Sequence, residues 1–219
     1  MVNVIVCYTM ILFGDKSAVW YNKPKENDMN YLIKGTSRCG KTMLANMIVK
    51  NLKCYDKICV DTMIGTFNSV LPELEINHEG GIGTKTILPK FLKTYISNAK
   101  RKDGKLGLYY VMEGVDISNE IQAELSSGGD VKVICLGKAS ISVDEYFKEV
   151  RYYEDRYLYG DWTKSLTDEE LRARCIYWIN EANEIKAHAE KMGYLFFDTS
   201  YNQEKVVKNI FKMIKDGKI

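Results

Sequence analysis

Residues 35–42 read G-T-S-R-C-G-K-T, the pattern G-x-x-x-x-G-K-[ST]. These residue types at this spacing can do one thing together, which is to hold a string of phosphates. Gly35 and Gly40 let the backbone curl so that consecutive N–H groups of Thr36, Ser37, Arg38 and Cys39 face one anion. Lys41 brings a point charge to the outer phosphates. The Thr42 hydroxyl is of the kind that ligates Mg²⁺, and a helix opening here turns its positive end to the same anion. Gly35 to Thr42 is therefore a candidate site for ATP with Mg²⁺. Cys39 stands two residues before Lys41 at that helix start, where a lysine and a helix dipole favour thiolate and lower the pKa below about 8.5. The alternative is an inert side chain filling a gap behind the loop.

Such a loop must be held by a strand before it and a helix after it, and both are legible. Tyr31 to Ile33 reads as a short buried strand. Leu44, Met47, Ile48 and Leu52 recur at helical spacing. The pattern then alternates along the chain. Ile58 to Val60 is a second strand ending at Asp61, 87–100 a helix, and Leu106 to Met112 a continuous apolar run of the kind buried on both faces. Val131 to Leu136 and Tyr194 to Phe197 are further strands. A last helix carries Val206, Val207, Ile210, Phe211 and Ile214 inward. Strands alternating with helices predict an α/β fold with a parallel sheet.

Gly137 to Gly193 shows no strand. Residues 143–159 read as a helix rich in tyrosine and charge. Thr167 opens another, with Glu170 completing a T-x-x-E capping box and an inward face of Leu171, Cys175, Trp178, Ile179, Ala182 and Ile185. This excursion, about 138–192, is the expected lid. Residues 1–28 are an N-terminal extension or an extra strand, and 29–219 the main domain.

Composition narrows the class. The chain has 219 residues, 46% hydrophobic and 27% charged, with 3 prolines. That is ordinary for a globular protein and excludes collagen-like or disordered classes. Thirty-one basic against 29 acidic residues leave a net charge of +2, so no general attraction to nucleic acid or membrane is expected. Six scattered cysteines without metal-ligand spacing suit a reducing compartment. The apolar opening of about a dozen residues is short of the ~20 that span a bilayer and lacks the flanks of a signal peptide. The expectation is a soluble, cytoplasmic protein.

The type of nucleotide protein follows by elimination. No N-K-x-D motif for guanine is present, and the third strand ends in Glu113-Gly114 rather than Asp-Glu. Lid-like helices suit group transfer, where water must be kept from the phosphoryl group.

From Met29 onward the chain resembles the small P-loop kinases, the group holding shikimate, gluconate and nucleoside monophosphate kinases, chloramphenicol phosphotransferase and zeta-type toxins. The matching stretches are I-K-G-T-S-R-C-G-K-T, I-C-V-D-T, Y-V-M-E-G-V and F-F-D-T-S, of which the first is a specific motif. The resemblance implies a three-layer P-loop NTPase fold, a five-stranded parallel sheet of order 2-3-1-4-5 with a helical lid. It gives Asp61, 20 residues after Lys41, the role of accepting a proton from the acceptor hydroxyl. A carboxylate at the carboxyl end of a strand is also where ligands of such sheets bind; otherwise Asp61 or Thr62 caps the next helix. Glu113 is expected to hold substrate, or Mg²⁺ through water, with Asp116 a weaker candidate. The resemblance assigns Arg172 and Arg174, in competition with Arg151 and Arg156, to the transferring phosphoryl group, and sets adenine by Thr199 and Ser200.

Other features carry plainer expectations. His78 and His188 read as surface residues. G-G-I-G at 80–83 reads as a turn, or else as a flexible substrate-side loop. The basic cluster Lys90, Lys93, Lys100, Arg101, Lys102 and Lys105 reads as a solvated face, and it alone would support a polynucleotide acceptor. The tyrosines of 146–159 pack on the core or stack on an aromatic substrate. The leading functional expectation is an ATP- and Mg²⁺-dependent kinase of a small metabolite, nucleoside or nucleotide. A nucleoside monophosphate kinase is disfavoured because 62–86 holds no arginine. The alternative from another class is a regulatory or defence NTPase.

Overall fold

The structure, a computed structural model, describes residues 29–99, 108–154 and 162–219. Residues 1–28, read above as an extension or extra strand, lie outside them, as do Lys100 to Lys105 and Arg156. Five strands form the sheet: β1 Asn30–Gly35, β2 Tyr55–Cys59, β3 Tyr109–Gly114, β4 Val131–Gly137 and β5 Leu195–Asp198. All pair in parallel, in the order β2-β3-β1-β4-β5. The central strand β1 is flanked on both sides, so its run Tyr31-Leu32-Ile33 is almost wholly buried.

Alternation along the strands sorts side chains to two faces. Tyr31, Ile33, Val111, Ile134 and Leu136 pack on α1 (Lys41–Asn51) and α8 (Gln203–Lys215) through Leu44, Ala45, Ile48, Val207, Ile210 and Ile214. Leu32, Tyr110, Met112, Val133 and Cys135 face the opposite layer. That layer holds α2 (Val60–Val70), α4 (Leu88–Ala99), α5 (Asn119–Ser126) and the second half of α7 (Asp168–Met192). The result is the three-layer α/β arrangement read from the sequence.

The second strand ends earlier than the sequence suggested. Val60 and Asp61 already belong to α2, because Val60 turns inward onto the same core as Ile64. The helix read at 87–100 is preceded by a separate short one, α3 (Ile82–Thr86). The glycines before it form a packed turn. Gly80 takes φ 77°, and a Cβ on Gly81 or Gly83 would strike the carbonyl of Glu75 or Leu74.

The segment read as a lid divides in two. α6 (Val143–Glu154), a 3-10 turn Trp162–Ser165 and the first half of α7 share their own small core of Ile141, Tyr146, Val150, Leu171, Cys175 and Trp178. From Ala182 onward α7 lies on the sheet, with Ile185 and Ala189 in the main core. Gly137 permits this, since a Cβ there would come 2.9 Å from that of Ala182. The capping box at Thr167 and Glu170 is formed on both sides. No helix among the described residues is long and apolar enough to cross a membrane.

Candidate active site

The loop after β1 takes the shape its glycines and length allow. Gly40 lies at φ 98° and Arg38 at φ 59°, left-handed positions that turn successive N–H groups to one side. Gly35 is needed for a different reason, because a Cβ there would collide with the Leu136 carbonyl and come 2.6 Å from Cys39 Sγ. Lys41 opens α1 and is almost buried, its Nζ donating to the Thr36 carbonyl at 2.7 Å. That hydrogen bond to a backbone carbonyl holds the ammonium within the loop. Thr36 Oγ1 is buried and without a partner among the described residues.

Cys39 does not face this anion position. It is fully buried in the core beneath the loop, and burial pushes its thiol up, against the opposing pull of Lys41. The expected thiolate is thereby overturned: desolvation outweighs the lysine and the helix end, because the side chain points away from solvent.

Thr42 is exposed beside the loop, and its hydroxyl donates to Glu113 Oε2 at 3.2 Å. Glu113 sits near the end of β3 and is 4% exposed. A hydroxyl and a carboxylate so placed form a hard-oxygen pair of the type Mg²⁺ takes alongside waters and phosphate. These residues fit the metal that the motif implies.

Asp61 is used differently from the sequence expectation. It lies in the first turn of α2, where the cap position is Cys59 and no side chain makes the cap bond. Its Oδ1 accepts from the amides of Val115 and Asp116 at 3.0 Å, and its Oδ2 accepts from Val115 at 2.9 Å. Gly114 makes this possible, as a Cβ there would come 2.5 Å from Asp61 Oδ1. Lys34 holds the same loop from the other side, donating to the carbonyls of Ile117 at 2.6 Å and Val115 at 3.4 Å. The connection after β3 is thus pinned by an anion at its amides and a cation at its carbonyls.

A cleft of about 490 Å³ is lined by Ser37, Arg38, Lys41, Thr42, Val115 and Trp162, with Glu149, Tyr153 and Gln203 among its other walls. A second, of about 670 Å³, shares Glu149, Tyr153 and Gln203 and continues to Ser200, Asn202 and Lys138. Lys138 is 1% exposed, bonded to both oxygens of Glu149 at 2.8 Å and to the Thr199 carbonyl. Thr199 is fully buried and its amide donates to the Gly137 carbonyl, while Ser200 binds Asp198 and the Ser140 amide.

The lid reaches the loop through two side chains. Tyr146 donates to the Ser37 carbonyl at 2.7 Å, and Arg38 donates to Thr163 Oγ1 at 2.9 Å. The arginines expected to act from the lid are engaged inside it. Arg172 pairs with Asp144 and lies over the Phe147 ring at 4.5 Å. Arg174 lies over Trp162 at 6.0 Å, and Arg151 ties Glu154 to Asp168 and the Leu166 carbonyl. Tyr146 packs on Trp178 at 5.6 Å, as the packing alternative had it.

One group emerges that the sequence did not single out. Glu181 on α7 is held above the usual carboxylate range by burial, against the pull of Lys34 and Lys41, and its Oε2 is buried without a partner among the described residues. Only its heptad-like place on α7, between the inward Trp178 and Ile185, could have flagged it. His78 is exposed as expected, but its Nδ1 lies 2.6 Å from Asp116 Oδ2. His188, read as a surface residue, is half-buried against Tyr194 with ring centroids 6.1 Å apart.

No protein-family model matches the sequence, and no curated protein matches it. Solved structures do. A shikimate kinase from Bacteroides thetaiotaomicron superposes with a TM-score of 0.53 at 14% identity, over 86% of this chain and 99% of that one. A shikimate kinase from Acinetobacter baumannii, in complex with shikimate, gives 0.50 at 13% identity over 87% and 95%. At such identity the likeness is one of fold, and the fold of this chain is that of these shikimate kinases.

Proposed function

We propose that the chain is an ATP- and Mg²⁺-dependent phosphotransferase acting on a small metabolite, nucleoside or nucleotide. One observation carries the reading. The Thr42 hydroxyl and the Glu113 carboxylate meet at 3.2 Å beside a loop whose lysine is turned into its own mouth. A structural turn has no use for a nearly buried ammonium and an exposed hydroxyl lining one cleft, with a buried carboxylate bonded to that hydroxyl.

Thr42 and Glu113 would hold Mg²⁺, which when bound supplies positive charge to the transferring phosphoryl group. The loop amides from Thr36 to Gly40 bind the phosphates. Lys41 leaves the Thr36 carbonyl for the outer phosphate oxygens. The pocket bounded by Ser200, Asn202 and Gln203 takes the base, next to the fully buried Thr199. Arg38, Tyr146 and Thr163 keep the lid against the loop and so restrict the access of water. Arg172 and Arg174 serve the transferring group only after giving up Asp144, Phe147 and Trp162, a rearrangement of the lid on nucleotide binding. Asp61 orders the loop after β3 and so acts on the acceptor side through Val115 and Asp116. The similar shikimate kinase that binds shikimate favours a small hydroxylated acceptor, and the lack of arginine in 62–86 disfavours an acceptor gripped by its phosphate.

The test is Lys41→Ala, measured by calorimetric titration with MgATP and by phosphorylation of a pool of metabolites and nucleosides. The expected result is a loss of transfer of at least about 100-fold with unchanged thermal unfolding. Wild-type turnover in the variant would remove Lys41 from the mechanism.

A further inference from the structure

The proposed reaction needs a group to take the proton of the attacking hydroxyl. Asp61, the residue that the resemblance suggests, has both oxygens filled by backbone amides of the loop it holds. Its carboxylate is thereby turned to the loop backbone. The same loop offers a replacement. Asp116 follows Val115, which lines the phosphate cleft, and it receives its position from the Asp61 bond to its own amide. Its carboxylate meets His78 Nδ1 at 2.6 Å. An Asp accepting from one ring nitrogen fixes the tautomer in which the other carries the lone pair. That other nitrogen, Nε2, lies over α2, 3.4 Å from where a Cβ of Gly65 would stand. Gly65 is one turn beyond Asp61 on the same helical face. The absence of a side chain at 65 leaves room beside Nε2, and the His78 side chain is 46% exposed. The turn that carries His78 is rigid: the Asn77 amide donates to Thr84 Oγ1, and the Gly81 amide to Asn77 Oδ1.

We infer that His78, oriented by Asp116, is the general base for the phosphoryl acceptor. This rests on the phosphotransferase reading. As the acceptor oxygen bonds to the γ-phosphorus, the bond from that phosphorus to the β–γ bridging oxygen breaks. The electron pair leaves with ADP, and the hydroxyl proton passes to His78 Nε2. The imidazolium, stabilised by Asp116, returns the proton to solvent.

The test uses the full chain, with water as the acceptor and MgATP as donor, read as phosphate release, with MgATP affinity measured in parallel. Lys41→Ala is the control for the underlying reading. His78→Gly is expected to lower phosphate release about 100-fold with MgATP affinity within threefold, and added imidazole is expected to restore it at least tenfold. Asp116→Asn is expected to cut release while leaving nucleotide affinity intact. If Lys41→Ala abolishes release but His78→Gly stays within threefold of wild type, or its loss is not restored by imidazole, His78 is not the base. If the wild type neither binds MgATP nor releases phosphate, the phosphotransferase reading fails and this one with it.

Discussion

Cys39 shows how one residue's surroundings reverse what its neighbours suggest. In the chain it stands two residues from a lysine and at a helix start, both of which stabilise thiolate. In space it is 0% exposed beneath the loop, touching the position a Gly35 side chain would need. The uncharged thiol is the form that burial favours, and its pKa is raised. Cys54 and Cys59, half-exposed on the β2 side, should therefore alkylate well ahead of Cys39, and MgATP should leave the Cys39 rate unchanged. Peptide mapping after a brief alkylation pulse checks both points. Labelling of Cys39 before Cys54 and Cys59 would mean that the loop opens far enough to expose its floor.

At the scale of elements, the decisive feature is the connection after β3. A loop of Val115, Asp116 and Ile117 would ordinarily be soft. Here Lys34 from β1 holds its carbonyls and Asp61 from α2 holds its amides, so two elements fix one short segment. Asp61→Asn is a sharp probe of this clamp. An amide in place of the carboxylate turns a donor toward the amides of Val115 and Asp116. The part-buried amides lose a partner at a cost of about 1 kcal/mol. We expect a lower urea midpoint, and turnover that falls with little change in MgATP affinity. If the midpoint stays at the wild-type value, the clamp does not contribute to stability and Asp61 acts on the acceptor alone.

The whole molecule sets the protonation of Glu181. Residues from α7, β1, α1 and the loop after β3 meet around it. Burial and the charges of Asp116 and Glu184 raise its pKa, and Lys34 and Lys41 only partly offset them. With the folded pKa above the unfolded value of about 4.3, the folded state holds the proton more tightly. Stability linked to this group is present at low pH and is lost as pH rises through the folded pKa. Glu181→Gln should therefore raise the unfolding temperature at pH 7 and change it little at about pH 3, where the carboxyl is protonated in the folded and unfolded states alike. Melting curves at the two pH values decide it. An equal or lower melting temperature for the variant at pH 7 would mean that the lysines outweigh burial. A carboxylate that costs stability beside the loop lysine is the kind of group found at functional sites.

What the sequence determined by itself was local in origin. The phosphate loop needs only adjacent residues in order. The T-x-x-E box of α7 closes within four residues, and both of its bonds are present. The buried strands announced themselves as apolar runs, and their parallel order followed from the alternation with helices and the resemblance. Boundaries slipped where a core contact overrode the local signal, as when Val60 and Asp61 joined α2 rather than β2. What only the tertiary structure decided were contacts between residues far apart in the chain. Asp61 meets Val115 and Asp116 across 54 and 55 positions, His78 meets Asp116 across 38, and Arg38 meets Thr163 across 125. The direction of the Cys39 side chain and the protonation of Glu181 belong with these. Each depends on which groups share a low-dielectric volume, and that is a property of the folded packing that no spacing along the chain records.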